Sequence, residues 1–258
     1  HSFLSEQISK KGYKVSISGT GADELFTGYY NHFLLHLAVI EGTEYFEDEL
    51  KNWKKYISPN LRNKYLKDPF HYIKNKKNRN LVYETDFNLK KYSATNFKDN
   101  FKEEVYCNEI LRNRMLNELF NEVVPVILKH DDLNSMFYSV ENRSPYLDKN
   151  LLEFSLKIPP HLLIQSGYQK NILRESTKGL LNNKIRLNRE KKGFNASISS
   201  IFDFNEPGNF QYLFNKNSPL AEYVDIKKFK KDFNKTNIPN HISKFVFSML
   251  GVKFFLER

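Results

Sequence analysis

The 258-residue sequence predicts a helix-rich α/β protein. Three observations carry that prediction. The segment Tyr13-Lys14-Val15-Ser16-Ile17-Ser18 alternates as a strand does, then runs through Gly19-Thr20-Gly21 into a stretch with helical patterning. Most of the remaining chain places its apolar residues at helical spacing. Hydrophobic residues form 40% of the sequence and aromatic ones 15%, which is ample for packed cores and argues against global disorder.

The elements follow in order. Ser2 to Lys11 carries Phe3, Leu4 and Ile8 at helical spacing, and Gly12 is its stop signal. After the strand, one long helix is predicted from Ala22 or Asp23 to Ile40. Further helices are predicted at 44–56, 102–120, 121–129, 149–157, 170–178 and 242–256. Pro159-Pro160 ends one of these, Gly179 stands where a left-handed cap closes another, and Asp148 reads as an N-cap. Tyr65 to Asn100 is polar and aromatic-rich and follows neither period. No internal repeat and no long linker divides the chain.

Composition narrows the function classes. Cys107 is the only cysteine, which excludes an internal disulfide and a zinc thiolate cluster and fits a reducing, cytoplasmic setting. It lies in a stretch predicted helical and reads as a small buried apolar residue. No apolar run reaches the ~18–20 residues of a membrane span, so no membrane partner is expected. The seven histidines show no metal-ligand spacing. A net charge of +10 and a pI near 9.3 raise the question of a nucleic-acid partner. The basic residues are scattered among asparagines and acids, as in Lys227-Lys228-Phe229-Lys230-Lys231, and read as solvated surface instead. The opening at His1, without a leader-like pattern, is that of a chain entered mid-pattern.

The segment with most chemical content is Ser18-Gly19-Thr20-Gly21-Ala22-Asp23-Glu24-Leu25-Phe26-Thr27-Gly28-Tyr29-Tyr30. It leaves a strand, turns on two glycines and enters a helix, a geometry that lets backbone amides approach a phosphate. Asp23 and Glu24 have two readings, as carboxylates that stabilise a helix start by ~0.3–1 kcal/mol or as groups holding Mg²⁺ beside a phosphate. Glycines after one strand are a weak signal alone.

The whole string resembles the Ser-Gly-x-Gly-(Ser/Ala/Gly)-Asp-Glu-(Leu/Val)-Phe-x-Gly-Tyr signature of the asparagine synthase family. Two further stretches are similar to that family in the same order. The first is Lys129-His130-Asp131-Asp132-Leu133-Asn134-Ser135-Met136 with Ser139-Val140-Glu141-Asn142-Arg143-Ser144-Pro145-Tyr146-Leu147-Asp148, where Leu133 replaces a usual arginine. The second is Lys170-Asn171-Ile172-Leu173-Arg174-Glu175 with Arg189-Glu190-Lys191-Lys192-Gly193-Phe194.

The resemblance implies that residues 1–258 are the C-terminal portion of a synthetase domain, with a partial adenine-nucleotide-hydrolase-like (ATP pyrophosphatase) parallel sheet flanked by many helices. It implies ATP and Mg²⁺ as cofactors, formation of an acyl-adenylate and attack by ammonia. Ser18, Gly19, Gly21 and Glu24 are then expected at ATP or pyrophosphate, Asp23 at the metal, and Thr20 and Lys191 among the catalytic groups. Lys191 has a second reading, as an ordinary surface lysine in a basic run. Glu141 and Arg143 are either a substrate clamp or a structural ion pair that holds the turn before Pro145.

Three departures from the family pattern shape the expectation. No Ser-Gly-Gly-x-Asp-Ser pyrophosphate loop occurs, so this chain by itself is expected not to adenylate. No N-terminal cysteine nucleophile of a glutaminase domain occurs, so ammonia is expected from another domain or protein. Thr20 stands where asparagine synthetases usually have a glutamate, and it brings no carboxylate. The leading reading is asparagine synthesis from aspartate and glutamine-derived ammonia. Amidation of another carboxylate in polysaccharide or secondary-metabolite biosynthesis, a synthetase remnant serving as an interaction module, and a nucleic-acid binder are the alternatives. A chain cut inside such a sheet presents a strand edge, which would favour self-association into a homo-oligomer.

Overall fold

The computed structural model describes residues 1–61, 63–77, 89–95, 102–190, 197–234, 236 and 238–257. Two compact units make up the chain, one of His1–Glu84 with Phe101–Glu190 and the other of Thr85–Asn100 with Lys191–Arg258.

The first unit opens with helix α1, Ser2–Lys10. Gly12, at φ +80°, closes it: its N–H bonds to Ser9 O and the Tyr13 N–H bonds to Ile8 O, the two bonds of a Schellman cap. Strand β1, Val15–Ile17, pairs in parallel with β2, Glu141–Arg143, in the register Val15 to Glu141 and Ile17 to Arg143. Parallel strands need a long crossover, and the described residues between these two include helices. The helix-rich α/β class with a small parallel sheet is therefore as the sequence predicts.

The long helix expected from Ala22 to Ile40 is instead two, α2 at Ala22–Phe26 and α3 at Tyr30–Ile40. Thr27 breaks it. Its φ of +71° is a conformation that a β-branched residue rarely adopts and no helix contains. Helix α3 is buried almost all round, with Leu34 and Leu35 wholly enclosed, and is the axis of this unit's core. Around it lie α4 (Phe46–Asn52, continued by a π-helical turn Trp53–Ile57), α5 (His71–Lys74) and α6 (Ile110–Asn117).

Residues 102–109 were expected to be helical and are irregular. Asn113 and Asn117 explain this: Asn113 Oδ1 accepts from the Tyr106 amide at 2.8 Å, and Asn117 Oδ1 accepts from the Glu104 amide at 2.9 Å. These side chains satisfy backbone groups that a helix would otherwise have paired. Cys107 consequently lies outside a helix, half-buried against the core. Helix α7, Val124–Phe137, is longer than predicted and leads to β2, after which come α8 (Lys149–Leu156), α9 (Pro160–Leu163), α10 (Asn171–Ser176) and α11 (Asn183–Arg186). Asp148 caps α8 as expected, accepting from the Asn150 and Leu151 amides.

The second unit contains α12 (Pro207–Leu213), α13 (Ile226–Asp232) and α14 (Asn240–Leu256). Its core is aromatic: Phe229 touches the rings of Tyr92, Phe214 and Phe245, Tyr92 stacks on Phe245, and Phe204 joins them through Phe233. The lysines of the basic run on α13 are exposed on either side of the buried Phe229. No helix among the described residues is long and apolar enough to cross a membrane.

Candidate functional site

Three segments of the first unit, 18–30, 129–148 and 170–175, meet at the turn between β1 and α2. β1 delivers Ser18, whose N–H donates to Arg143 O at 2.8 Å and thereby prolongs the β1 to β2 ladder by one bond. The Ser18 hydroxyl is 2.9 Å from that of Ser144 and donates to Thr20 Oγ1 at 3.2 Å. Gly19 is exposed, and a Cβ placed on it would meet nothing within 4 Å, so its backbone borders open space. Gly21 is the tight point. Its φ of +96° demands glycine, and a Cβ there would come within 2.5 Å of Leu147 Cδ2. The first two motifs are thus fitted to each other on both sides of the turn.

Helix α2 has five residues, too few for its dipole to dominate, so any anion here is held by turn amides and side chains. Asp23, in its first turn, is about 30% exposed and forms an ion pair with Lys170 Nζ. Lys170 comes from the third motif. Its backbone, left-handed at φ +55°, donates to Phe26 O at 3.1 Å and to Thr27 Oγ1 at 3.3 Å. Beside it, Gln169 Nε2 donates to Tyr29 O. Gly28 completes the cradle, since a Cβ there would overlap the Asp23 carboxyl group. Thr27, held in its strained backbone by these contacts, is fully buried.

Glu24 lies behind this surface, 4% exposed, where it accepts from the Tyr29 hydroxyl. Burial pushes its carboxyl above the usual range, against the Tyr29 bond, which pulls it down. Burial and the Glu24 carboxylate push the Tyr29 phenol far up in turn, so Tyr29 stays a donor. Thr20 lies beside the side chain of Asp131 on α7, a buried carboxylate that contacts His1 Nδ1 at 2.7 Å. Burial raises Asp131, and the neighbouring Thr20 hydroxyl lowers it in part.

Glu141 and Arg143 pair with each other at 2.8 Å on one exposed face of β2, while Asn142 on the other face accepts from Ser16. The mutual hydrogen bond holds Glu141 low and Arg143 high. Lys191, with the rest of residues 191–196, lies outside the described residues. Sequence reading missed Lys170, Asp131 and Ser144 as members of the site. Each sat inside a quoted motif, but pairing across the chain has no local signal. Among the described residues, no group of three or more His, Cys, Asp or Glu side chains is arranged to hold a metal.

The chain is 27% identical over 221 residues to "Asparagine synthetase [glutamine-hydrolyzing] 1" of Bacillus subtilis (strain 168), an overlap that covers 74% of this chain and 32% of that protein. It is 28% identical over 192 residues to "Asparagine synthetase [glutamine-hydrolyzing] 3" of the same organism, covering 72% of this chain and 27% of that protein. The chain therefore spans about a third of the length of the curated relatives it matches. No solved structure matches significantly. The profile described as Asparagine synthase covers residues 1–245, and the chain belongs to the asparagine synthase family.

Proposed function

We propose that this chain supplies the phosphate-gripping face of an ATP-dependent, asparagine-synthase-type ligase that activates a carboxylate as its acyl-adenylate for attack by ammonia. β1 and β2 are then neighbouring strands of an ATP-pyrophosphatase-type sheet. The observation that carries the reading is the pair Asp23 and Lys170, brought from two separate motifs to the glycine turn and leaning on Gly28. Such a pair is neutral when closed. Pyrophosphate with its cation offers a partner to each member, phosphoryl oxygen to the ammonium and metal to the carboxylate.

Mg²⁺ fits this donor set only as an ion held mainly by phosphate oxygens and water, because Asp23 is a single partly exposed carboxylate. Bound there, it would neutralise phosphate charge. Ser18 and the Gly19 to Gly21 backbone would face the nucleotide, with Glu24 acting from behind through Tyr29. Thr20 lacks a carboxylate, and the neighbouring Asp131 side chain would supply one. Aspartate and another small carboxylic acid are both compatible substrates, and Thr20 is the feature that favours the latter. Ammonia would come from a glutaminase domain or protein, in the cytoplasm.

The test is a calorimetric titration of the chain with magnesium pyrophosphate, magnesium ATP and, as control, orthophosphate. Saturable binding of the first two that survives 0.15 M salt is expected, with orthophosphate much weaker. Equal, salt-labile binding of all three would mean a nonspecific basic surface and overturn the proposal.

A further inference from the structure

Within the buried part of the first unit, one group of titratable side chains is not used by this reading, and it ends on the phosphate turn. His32 of α3 is fully buried, and both of its ring nitrogens are committed. The Gly28 N–H donates to Nδ1 at 3.2 Å, and Nε2 is 2.7 Å from Glu118 Oε2. Because Nδ1 accepts, the ring proton sits on Nε2 and is donated to Glu118. Glu118, itself 3% exposed, accepts from Arg114 Nε at 2.9 Å, and Arg114 also binds Glu103 at 2.8 Å and Glu122. Burial pushes Glu118 up, but His32 and Arg114 outweigh it and hold the carboxylate low.

His32 serves the Gly28 amide. Gly28 precedes α3, outside that helix's own ladder, and its buried N–H donates to His32 Nδ1. The same glycine is the surface against which the Asp23 carboxyl leans. We infer that His32 is a positioning residue: it pins the Gly28 backbone through Nδ1, is itself oriented by the Glu118 to Arg114 network, and so sets the direction in which Asp23 meets a phosphate-bound cation. This rests on the function proposed above.

Two substitutions separate the halves of the link. In His32→Asn the amide oxygen falls near the Nδ1 position, keeping an acceptor for Gly28 but losing reach to Glu118. In His32→Gln the amide nitrogen falls near Nε2, keeping the donor to Glu118 but withdrawing the acceptor at Nδ1 from Gly28. Three quantities are read: exchange of the Gly28 amide by NMR, thermal midpoint, and affinity for magnesium pyrophosphate. Expected for His32→Gln are Gly28 exchange at least about tenfold faster and affinity about tenfold weaker, about 1.4 kcal/mol. His32→Asn should keep Gly28 protected and affinity within about twofold of wild type, yet melt lower than His32→Gln because Glu118 loses a buried donor.

Affinity and stability thus change in opposite order, which a purely structural role would not produce. Affinity losses that follow the melting losses in both variants would overturn the inference, as would equal Gly28 exchange in all three proteins. If the wild-type chain binds no magnesium pyrophosphate, the proposed function falls, and Gly28 exchange alone then decides whether His32 is the anchor.

Discussion

Replacing Gly28 by alanine should displace Asp23, and the size of the effect can be worked from the cradle. The added Cβ would overlap the carboxyl group of Asp23 and stand 2.5 Å from its Cβ. Gly28 does not have positive φ, so alanine meets no backbone penalty there, and the whole cost is steric. The backbone cannot yield easily, because the Gly28 N–H is held by His32 and the Phe26 carbonyl by the Lys170 amide. Asp23 must therefore rotate its carboxyl away and abandon Lys170, and the start of α2 must also shift, since no rotation moves the Asp23 Cβ. Overpacking of this kind costs about 1–3 kcal/mol. Loss of a partly exposed ion pair adds at most about 1 kcal/mol. A loss near 2 kcal/mol lowers the melting temperature of a unit this size by roughly 4–8 °C.

The assay is a double-mutant cycle by thermal or urea unfolding, with Asp23→Gly as the second change. Asp23→Ala would not serve, since its Cβ would still crowd the new methyl. In the Asp23→Gly background, Gly28→Ala should be neutral or slightly stabilising, giving a coupling of about 1–3 kcal/mol. Additive effects, or a Gly28→Ala variant within about 0.5 kcal/mol of wild type, would refute the steric account of the cradle.

Two buried carboxylates of this unit should respond oppositely to amidation. Glu24 has a raised pKa, so its charge disfavours the fold above the unfolded carboxylate range; stability falls as pH rises through that window, and Glu24→Gln should flatten the fall and leave stability at pH 7 equal or higher. Glu118 has a lowered pKa, so its contribution is present above the unfolded range and is lost as pH falls through its folded value; Glu118→Gln should cost about 3–5 kcal/mol at pH 7 by leaving the buried Arg114 short of a charged partner and His32 with a weaker acceptor. Urea unfolding at pH 7 checks both substitutions, and carrying it from about pH 8 down to about pH 3 follows both pH dependences. Thr20→Glu puts a second carboxylate beside the raised Asp131, so it should destabilise at pH 7 and recover near pH 4; in a protein able to catalyse ATP–pyrophosphate exchange it should raise the use of aspartate. Cys107, whose thiol burial pushes up, should react with a thiol reagent at pH 7.5 several-fold more slowly than free cysteine, and reaction at the free rate would contradict its half-buried placement.

Much of the fold that presents the site is legible in the sequence, for local reasons. Gly12 marks the end of α1 because a left-handed cap is a property of that residue, and alternation over Tyr13 to Ser18 marks β1 because the strand period is local. The break at Thr27 is not legible: threonine inside an apolar, helix-patterned run gives no stop signal, and its positive φ is imposed by contacts with the Lys170 and Leu163 backbone. The helix wrongly expected over residues 102–109 failed for a similar reason, since the asparagines that capture its backbone lie on the next helix.

The site divides in the same way. The glycine turn and Asp23 belong to one contiguous string, which any reading of the chain would single out. Lys170 and Asp131 become members only when the fold closes, because an ion pair or hydrogen bond between distant segments leaves no periodic trace. The network of Arg114, Glu118 and His32 is hidden more deeply. Charged residues on α6 count as solvent-facing in any hydropathy reading, yet every residue from Leu111 to Asn117 on that helix is buried. They can be buried because they satisfy one another, and only the pairing reveals this.

The central claim is that Asp23 and Lys170 together grip a phosphate and its cation at the glycine turn. A ³¹P NMR titration of pyrophosphate with Mg²⁺ against the wild-type chain, Asp23→Asn and Lys170→Met tests it most directly, because both side chains are partly exposed and their replacement should hardly change the fold. Saturable wild-type binding that weakens at least about tenfold in each variant, about 1.4 kcal/mol or more, is the predicted result. Variants that bind as tightly as wild type, with melting curves unchanged, would contradict it.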